Sequence, residues 1–528
     1  MLMANLTIKE EQEKQQQLLQ RSITQTSLSA LASLPKSGKP QEHEHTTFAA
    51  ILITLPLAST DTLIKQQTTT ATPIIISMAT GTKCLPGSKR AADGSAVHDL
   101  HAEVLARRGF LRWSYDEIQY NLESSLVYHR GCRGSIELRP GVNLHLFTSH
   151  PPCGDASIVG EAIECDATIN TTSNTNEVEV KRRTGAKPMV KLHDEVPVPT
   201  VVEDNEKERG GNTVRIVDKI PEAKDVESYS CRQQTGVVRR KPGKGEPTLS
   251  VSCSDKIAKW NVLGLQGALL GSVLQGGKVY LSSITVAYAC EDEEGMKMAL
   301  ERAFQQRIAS TRKKLETHSI LPIPVPSVHV VVVERHELIK LGLVCSQVHS
   351  VPCAQSITRW GPTSSLWRFK PAKKVVQLTS LKEGSMDTIP PPYVMTADAS
   401  SETLVGVLGV RVGRSRKGSD SVPLQAQSSL CRAALFRRWS DVVHALHLCM
   451  LPLPLTDATL LSYDEVKMWA NKEYVDTWHG LLLHDTPQGV CVHNNNAFKG
   501  WIRKPPQDAI WCLQNTPPTA TTTLTACL

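Results

Sequence analysis

The sequence predicts an α/β fold. Apolar runs of strand length alternate with stretches of helical periodicity between residues 48 and 334, the pattern of helices layered on a sheet. Hydrophobic residues make up 40% of the 528, enough for a substantial core. There is no internal repeat of solenoid or propeller length.

Residues 1–33 are rich in Gln, Glu, Lys and Ser and are expected to form a variable leader, with a helix over 10–21 that lacks a strong apolar face. One domain is expected over 34–515, opening with a turn-rich lead at Pro35, Gly38 and Pro40 and with strands over 48–57 and 73–78. Residues 102–120 place Val104, Leu105, Phe110, Leu111 and Ile118 near helical spacing, with His101 at the start of that helix. Residues 142–147 alternate like a strand and run into Ser149-His150-Pro151-Pro152-Cys153. The Asn-, Thr-, Glu-, Lys- and Pro-rich stretch 166–230 has no sustained periodicity and reads as a disordered insertion. Beyond it, 256–274 is helical in pattern, 278–287 a strand, 292–315 a helix and 328–334 a strand. A Gly/Arg/Ser-rich loop at 411–427 precedes an amphipathic helix over 430–450 with Leu435, Val442, Val443 and Leu446 inward. The last folded element is expected at 500–505, and 516–528 is a loose Thr-rich tail.

A net charge of +7 suits a phosphate-bearing partner without selecting one. Fourteen cysteines over this length are too sparse for a secreted disulfide scaffold, so a reducing compartment, nucleus or cytoplasm, is expected. No apolar run reaches the eighteen residues of a membrane span. No obligate protein partner is indicated.

The chemistry starts at His101-Ala102-Glu103. An H-x-E string is half of a zinc-deaminase signature, in which the histidine binds metal and the glutamate moves protons; alone it occurs by chance, and a histidine beside a surface glutamate is its commoner meaning. Pro151-Pro152-Cys153-Gly154-Asp155-Ala156 adds a cysteine in a turn able to present a thiolate at a helix start, where the dipole lowers its pKa. The second cysteine of a Pro-Cys-x-x-Cys pair is missing, yet a catalytic zinc takes three protein ligands. Cys253, in Ser252-Cys253-Ser254-Asp255-Lys256, is the candidate, preceding a helix that serine and aspartate can cap. Spacing alone leaves a buried structural cysteine open there. His43, His45, His98 and His150 are assigned no ligand role.

The string from Ser252 through Asp255, Trp260, Asn261 and Gln266 to Leu270 resembles one found in RNA-editing adenosine deaminases. His101-Ala102-Glu103-Val104, the Pro-Pro-Cys-Gly-Asp-Ala block and Thr80-Gly81-Thr82-Lys83-Cys84 stand in the matching order. Leu34-Pro35-Lys36-Ser37-Gly38-Lys39-Pro40 and Arg240-Lys241-Pro242-Gly243-Lys244-Gly245 make the chain more similar to the branch acting on tRNA than to editors of double-stranded RNA; the leader is too short for a double-stranded RNA-binding domain.

The resemblance implies a three-layer cytidine-deaminase-like fold with a mixed central sheet, extra helices and a C-terminal helical part. It implies Zn2+ held by His101, Cys153 and Cys253, Glu103 as proton shuttle, and hydrolysis of adenosine to inosine at position 37 of an alanine tRNA. A looped or flipped base is required, because an adenine stacked in a stem is out of reach. Thr82 and Lys83, with the basic Arg239, Arg240, Lys241 and Lys244, are candidates for the RNA backbone. It also implies a buried inositol hexakisphosphate, whose lost hydration demands a basic cage: Arg107, Arg108, Lys256, Lys259, Trp260, Arg432, Tyr463, Lys467, Trp501 and Lys504. The register shifts between Lys467 and Tyr474, and a basic position beyond Tyr474 falls on Trp478. The competing readings are an editor of double-stranded RNA with the same active site and a non-catalytic RNA-binding zinc protein.

Overall fold

In a computed structural model the described residues are 2–34, 39–40, 44–56, 72–131, 134–159, 186–188, 235–242, 246–275, 277–289, 292–317, 322–344, 359–360, 363–368, 400–414, 422–446, 462–483, 497–498 and 501–502. The sheet comprises β1 (Phe48–Thr54), β2 (Ile74–Thr80), β3 (Asn143–Thr148), β4 (Ser283–Tyr288), β5 (Ser327–Val332), β6 (Thr363–Arg368), β7 (Ser400–Val405) and β8 (Val410–Arg411). Their spatial order is β5-β4-β3-β1-β2-β6-β7-β8. Strands β3, β4 and β5 are mutually parallel, and every other pairing is antiparallel, which makes the sheet mixed as expected.

Period-2 alternation sends successive β1 side chains to opposite faces. Ala49, Ile51 and Ile53 join the larger core, whereas Phe48, Ala50 and Leu52 join a second one. The larger core holds α2 (Ala102–Asn121), α3 (Cys253–Leu263), α4 (Gly267–Val273), α5 (Glu293–Glu301) and, after α6 (Ala309–Glu316), α7 (Arg432–Ala445). The C-terminal helices are α8 (Tyr463–Ala470) and α9 (Lys472–Leu483).

The second core corrects the expectation for residues 1–33. They form α1 (Leu2–Ser33), and its Ile23, Leu28 and Leu31 pack with Phe48, Leu52 and Phe147 on the far face of the sheet. The stripe escapes notice because polar residues share it: Gln20, Thr24 and Ser27 are buried too, and Gln20 bonds Thr285 of β4. The expected helices over 256–274 and 292–315 are each broken, the first at Gly264 into α3 and α4, the second by a π turn at Arg302–Gln306. The 166–230 insertion lies outside the described residues except at 186–188, where Lys187–Pro188 pairs with Arg239–Arg240, and the 516–528 tail lies wholly outside them. Among the described residues no helix is long and apolar enough to cross a membrane.

His145 on β3 is buried between Thr54 and Ser283, 3.1 and 2.8 Å away. Burial, then the neighbouring His329, pushes its pKa from 6.5 down to about 4. The unfolded chain therefore binds the extra proton between those values, so this contribution to stability is complete above pH 6.5 and is lost as pH falls towards 4. Between pH 7 and 5 it should fall by about 2 kcal/mol, measurable as a drop in the urea midpoint that His145→Gln flattens.

Candidate metal centre and active site

The ligand atoms of His101, Cys153 and Cys253 lie within 4.8 Å of one another. Three separate elements deliver them. His101 ends a ribbon in which Thr82–Cys84 pairs with Asp99–His101, and it caps α2. Cys153 follows β3 through two prolines, beyond the carboxyl end of a strand with a parallel neighbour, where α/β proteins place their sites. Cys253 opens α3 behind Ser252, whose side chain accepts from the Asp255 amide. His101 Nδ1 lies 3.8 Å from the Cys153 sulfur and 3.5 Å from that of Cys253.

One expectation changes here. Among the described residues directly after Cys153 there is no α-helix, only a single 3-10 turn at Asp155–Ser157. Its sulfur instead accepts from the Cys253 amide, 3.3 Å away at the start of α3, so one helix N-terminus serves both sulfurs. Gly154 permits this approach: its φ is +108°, and a Cβ would lie 2.2 Å from Ser252 Oγ. A hydrogen bond with Cys253, together with the positive charge of Lys241, holds the Cys153 thiol well below its ordinary pKa, whereas burial pushes Cys253 up.

Glu103 sits in the first turn of α2, 2% exposed, and its Oε2 is buried without a hydrogen-bond partner. Burial raises its pKa, opposed by His101 and reinforced by Cys153. A carboxyl so placed is suited to exchange protons with something in the pocket. Thr82 Oγ1, paired across the ribbon from His101, is likewise buried without a partner, and Lys83 beside it is half-buried.

The basic stretch expected to meet RNA turns largely inward. Lys241 is 1% exposed and donates to both Asp99 oxygens, at 2.9 and 2.8 Å, and to the Cys253 sulfur at 3.1 Å. Arg239 is buried, donating to the Ala186 carbonyl. Arg240 is half-buried, and Lys244 lies outside the described residues. The reason is charge: two sulfurs and Asp99 buried together need cations beside them. Burial opposes an ionised Asp99, yet Lys241 and Lys256 hold its carboxyl well below the usual range, while Asp99 and the sulfurs raise Lys241 against its own burial.

Lys256 also pairs with Asp99 and donates to Ser250. Asp99 went unnoticed in the sequence, though it stands two residues before His101. Of the other expected cage residues, Arg107 donates to the Leu265 carbonyl (2.8 Å) and lies over Trp260, and Arg108 donates to the Leu430 carbonyl. Among the described residues neither meets a carboxylate, and burial lowers both pKa values, that of Arg107 to about 10. Arg432 and Lys467 both face the Tyr463 ring, and Lys467 also pairs with Asp464. Lys259 lies 3.4 Å from the Trp478 ring centre and 5.5 Å from that of Trp501, so the Trp found in place of a basic residue supplies a π face to the ammonium. Lys504 lies outside the described residues.

Lys241→Met should cost about 3 kcal/mol of stability by stripping a buried partner from Asp99, read as a lower urea midpoint. A variant that folds as well as wild type but binds RNA more weakly would return Lys241 to the RNA surface.

The adenosine-deaminase (editase) domain matches residues 77–505. The chain is 32% identical over 287 residues to tRNA-specific adenosine deaminase 1 of Drosophila melanogaster, a match covering 54% of this chain and 59% of the fly protein. It is 26% identical over 534 residues to the protein of the same name from Macaca fascicularis, covering 90% and 95%. To the double-stranded RNA-specific adenosine deaminase of Mus musculus it is 32% identical over 219 residues, 41% of this chain and 16% of that one. With the His-Cys-Cys cluster and the buried glutamate in the expected places, the chain belongs to the adenosine-deaminase (editase) domain family.

Proposed function

We propose that the protein hydrolyses adenosine to inosine in tRNA, at position 37 of an alanine tRNA, with Zn2+ held by His101, Cys153 and Cys253. The observation that carries the reading is Glu103, buried beside a three-donor cluster with one carboxylate oxygen unpartnered. One imidazole and two sulfurs suit zinc, and three protein ligands leave a position for water. When bound, the metal makes that water acidic enough to attack carbon near neutral pH.

The chain's own residues do the rest. Glu103 takes the proton of the attacking water, delivers it to the purine ring nitrogen, and helps protonate the departing amine, so that water and adenosine become inosine and ammonia. Lys241 keeps negative charge near Cys253 favourable. Thr82, Lys83 and Arg240 remain the candidates for contact with RNA. Support for tRNA over double-stranded RNA comes from the relatives that align over nine-tenths of this chain.

The cations gathered where α2, α7 and α8 meet support a second ligand, inositol hexakisphosphate. Arg107, Arg108, Arg432, Lys467 and Tyr463 gather there, and neighbouring half-buried guanidiniums repel one another unless an anion joins them. Lys256 and Lys259 have other partners and are not assigned to it.

Glu103→Gln should retain metal, measured by elemental analysis, and lose inosine formation on a tRNA transcript by on the order of 100- to 10,000-fold. A transcript with guanosine at position 37 should give no inosine with wild type; inosine elsewhere in it would overturn the position, and unaltered turnover by Glu103→Gln the mechanism. Arg107→Gln should weaken inositol hexakisphosphate binding, read by calorimetry, on the order of tenfold or more; an unchanged affinity would remove that ligand from this space.

A further inference from the structure

Each cysteine of the metal centre is followed two residues later by a fully buried aspartate, Cys153 by Asp155 and Cys253 by Asp255. Both aspartates reach the same short piece of helix. Arg302 Nε lies 3.3 Å from Asp155 Oδ1, and its Nη2 donates to the carbonyls of Asp155 and Ile158 at 2.9 and 2.8 Å. Arg307 Nη2 lies 2.7 Å from Asp255 Oδ1, with only 2% and 0% of the two side chains exposed. The other Asp255 oxygen accepts from Ser252 Oγ at 2.6 Å and from the Arg239 amide at 2.9 Å.

Arg302 and Arg307 are five residues apart, about 140° round an ordinary α-helix, so a regular helix would turn one of them away. The chain is π-helical at Arg302–Gln306, closed by the Arg307 amide donating to the Arg302 carbonyl at 3.0 Å. The wider turn brings residues five apart to nearly the same side. π turns of this kind are found at functional sites more often than elsewhere.

We infer that the π turn makes Arg302 and Arg307 a paired set of positioning residues, through which one helix sets the separation of the two sulfurs and so the fit of the metal. Neither arginine touches the ligand atoms; each acts through the aspartate of one cysteine loop. Arg307 carries a second connection, donating through Nε and Nη2 to the Ala497 carbonyl at 3.2 and 2.7 Å, which ties a C-terminal residue to the Cys253 loop. This inference rests on the reading of His101, Cys153 and Cys253 as metal ligands.

The test uses full-length protein loaded with cobalt in place of zinc, in wild type, Arg302→Lys, Arg307→Lys, Arg307→Met and Asp255→Asn. Metal loss to an excess of chelator and the visible cobalt–thiolate absorption are followed, with thermal unfolding of the metal-free protein as the control for folding. Groups that orient metal ligands typically change affinity by about 10- to 100-fold. Arg307→Met and Asp255→Asn should lose cobalt at least about tenfold faster with shifted absorption, and the two lysine variants should fall between them and wild type. Metal loss and absorption equal to wild type in variants that fold would overturn the inference, as would variants whose only defect is a lower unfolding temperature. Should Arg307→Met not fold, the lysine variants decide on the same two readouts. Wild type that takes up no cobalt would instead overturn the metal reading on which this depends.

Discussion

Two sulfurs, a glutamate and an aspartate are buried within one small region, and unbalanced negative charge in a poorly polarisable interior would exclude that arrangement. The region holds because Lys241 stands between Asp99 and the Cys253 sulfur, with Lys256 closing the other side of Asp99. A buried ion pair by itself is weak support for stability. Its value here is positional: Lys241 bridges a ribbon that ends in His101 and a helix that begins with Cys253, so the charge pair and the metal donors fix the same two elements to each other.

The same constraint explains which parts of the site were legible in the sequence. His101, Glu103, Cys153 and Cys253 were readable because metal chemistry fixes residue types and order, and the surrounding strings are those of a known family. Asp99 was not readable, since an aspartate before a histidine has no pattern of its own; its meaning comes from Lys241, 142 residues later. Arg239 and Lys241 were misread because a run of basic residues ordinarily marks a solvated surface. Only the three-dimensional neighbours show that these charges are needed inside.

The fold was legible where periodicity was clean and hidden where it was diluted. The alternation of β3 and the stripe of α2 mark a strand and a helix directly, close to their observed bounds. Helix α1 was set aside as a leader because its buried side carries Gln20, Thr24 and Ser27 among its Ile and Leu. Such a stripe is polar enough to look solvated, yet it covers strands whose own Thr285 and His329 offer hydrogen bonds in return. The breaks at Gly264 and at the π turn were invisible for another reason: both keep the apolar period running while changing where polar side chains point.

Three ligands distant along the chain must reach a common geometry. A strand end, a ribbon and a helix start each carry their own positional freedom, and backbone bonds from Ser254 to the Cys153 carbonyl (3.0 Å) and from Ser252 to the Arg239 carbonyl (2.8 Å) tie the start of α3 to the first cysteine loop and to Arg239. Cys253 depends on α3, which is held through Asp255 and Arg307 and through the aromatic contacts of Lys259 with Trp478 and Trp501. Trp478 and Trp501 belong to the C-terminal part of the chain, as does Ala497 on Arg307. Packing far along the sequence therefore bears directly on the helix that supplies one sulfur. A deaminase-like core with the motifs intact but without residues 474–501 would keep every residue the chemistry names and lose the contacts that Ala497 gives Arg307 and that Trp478 and Trp501 give Lys259.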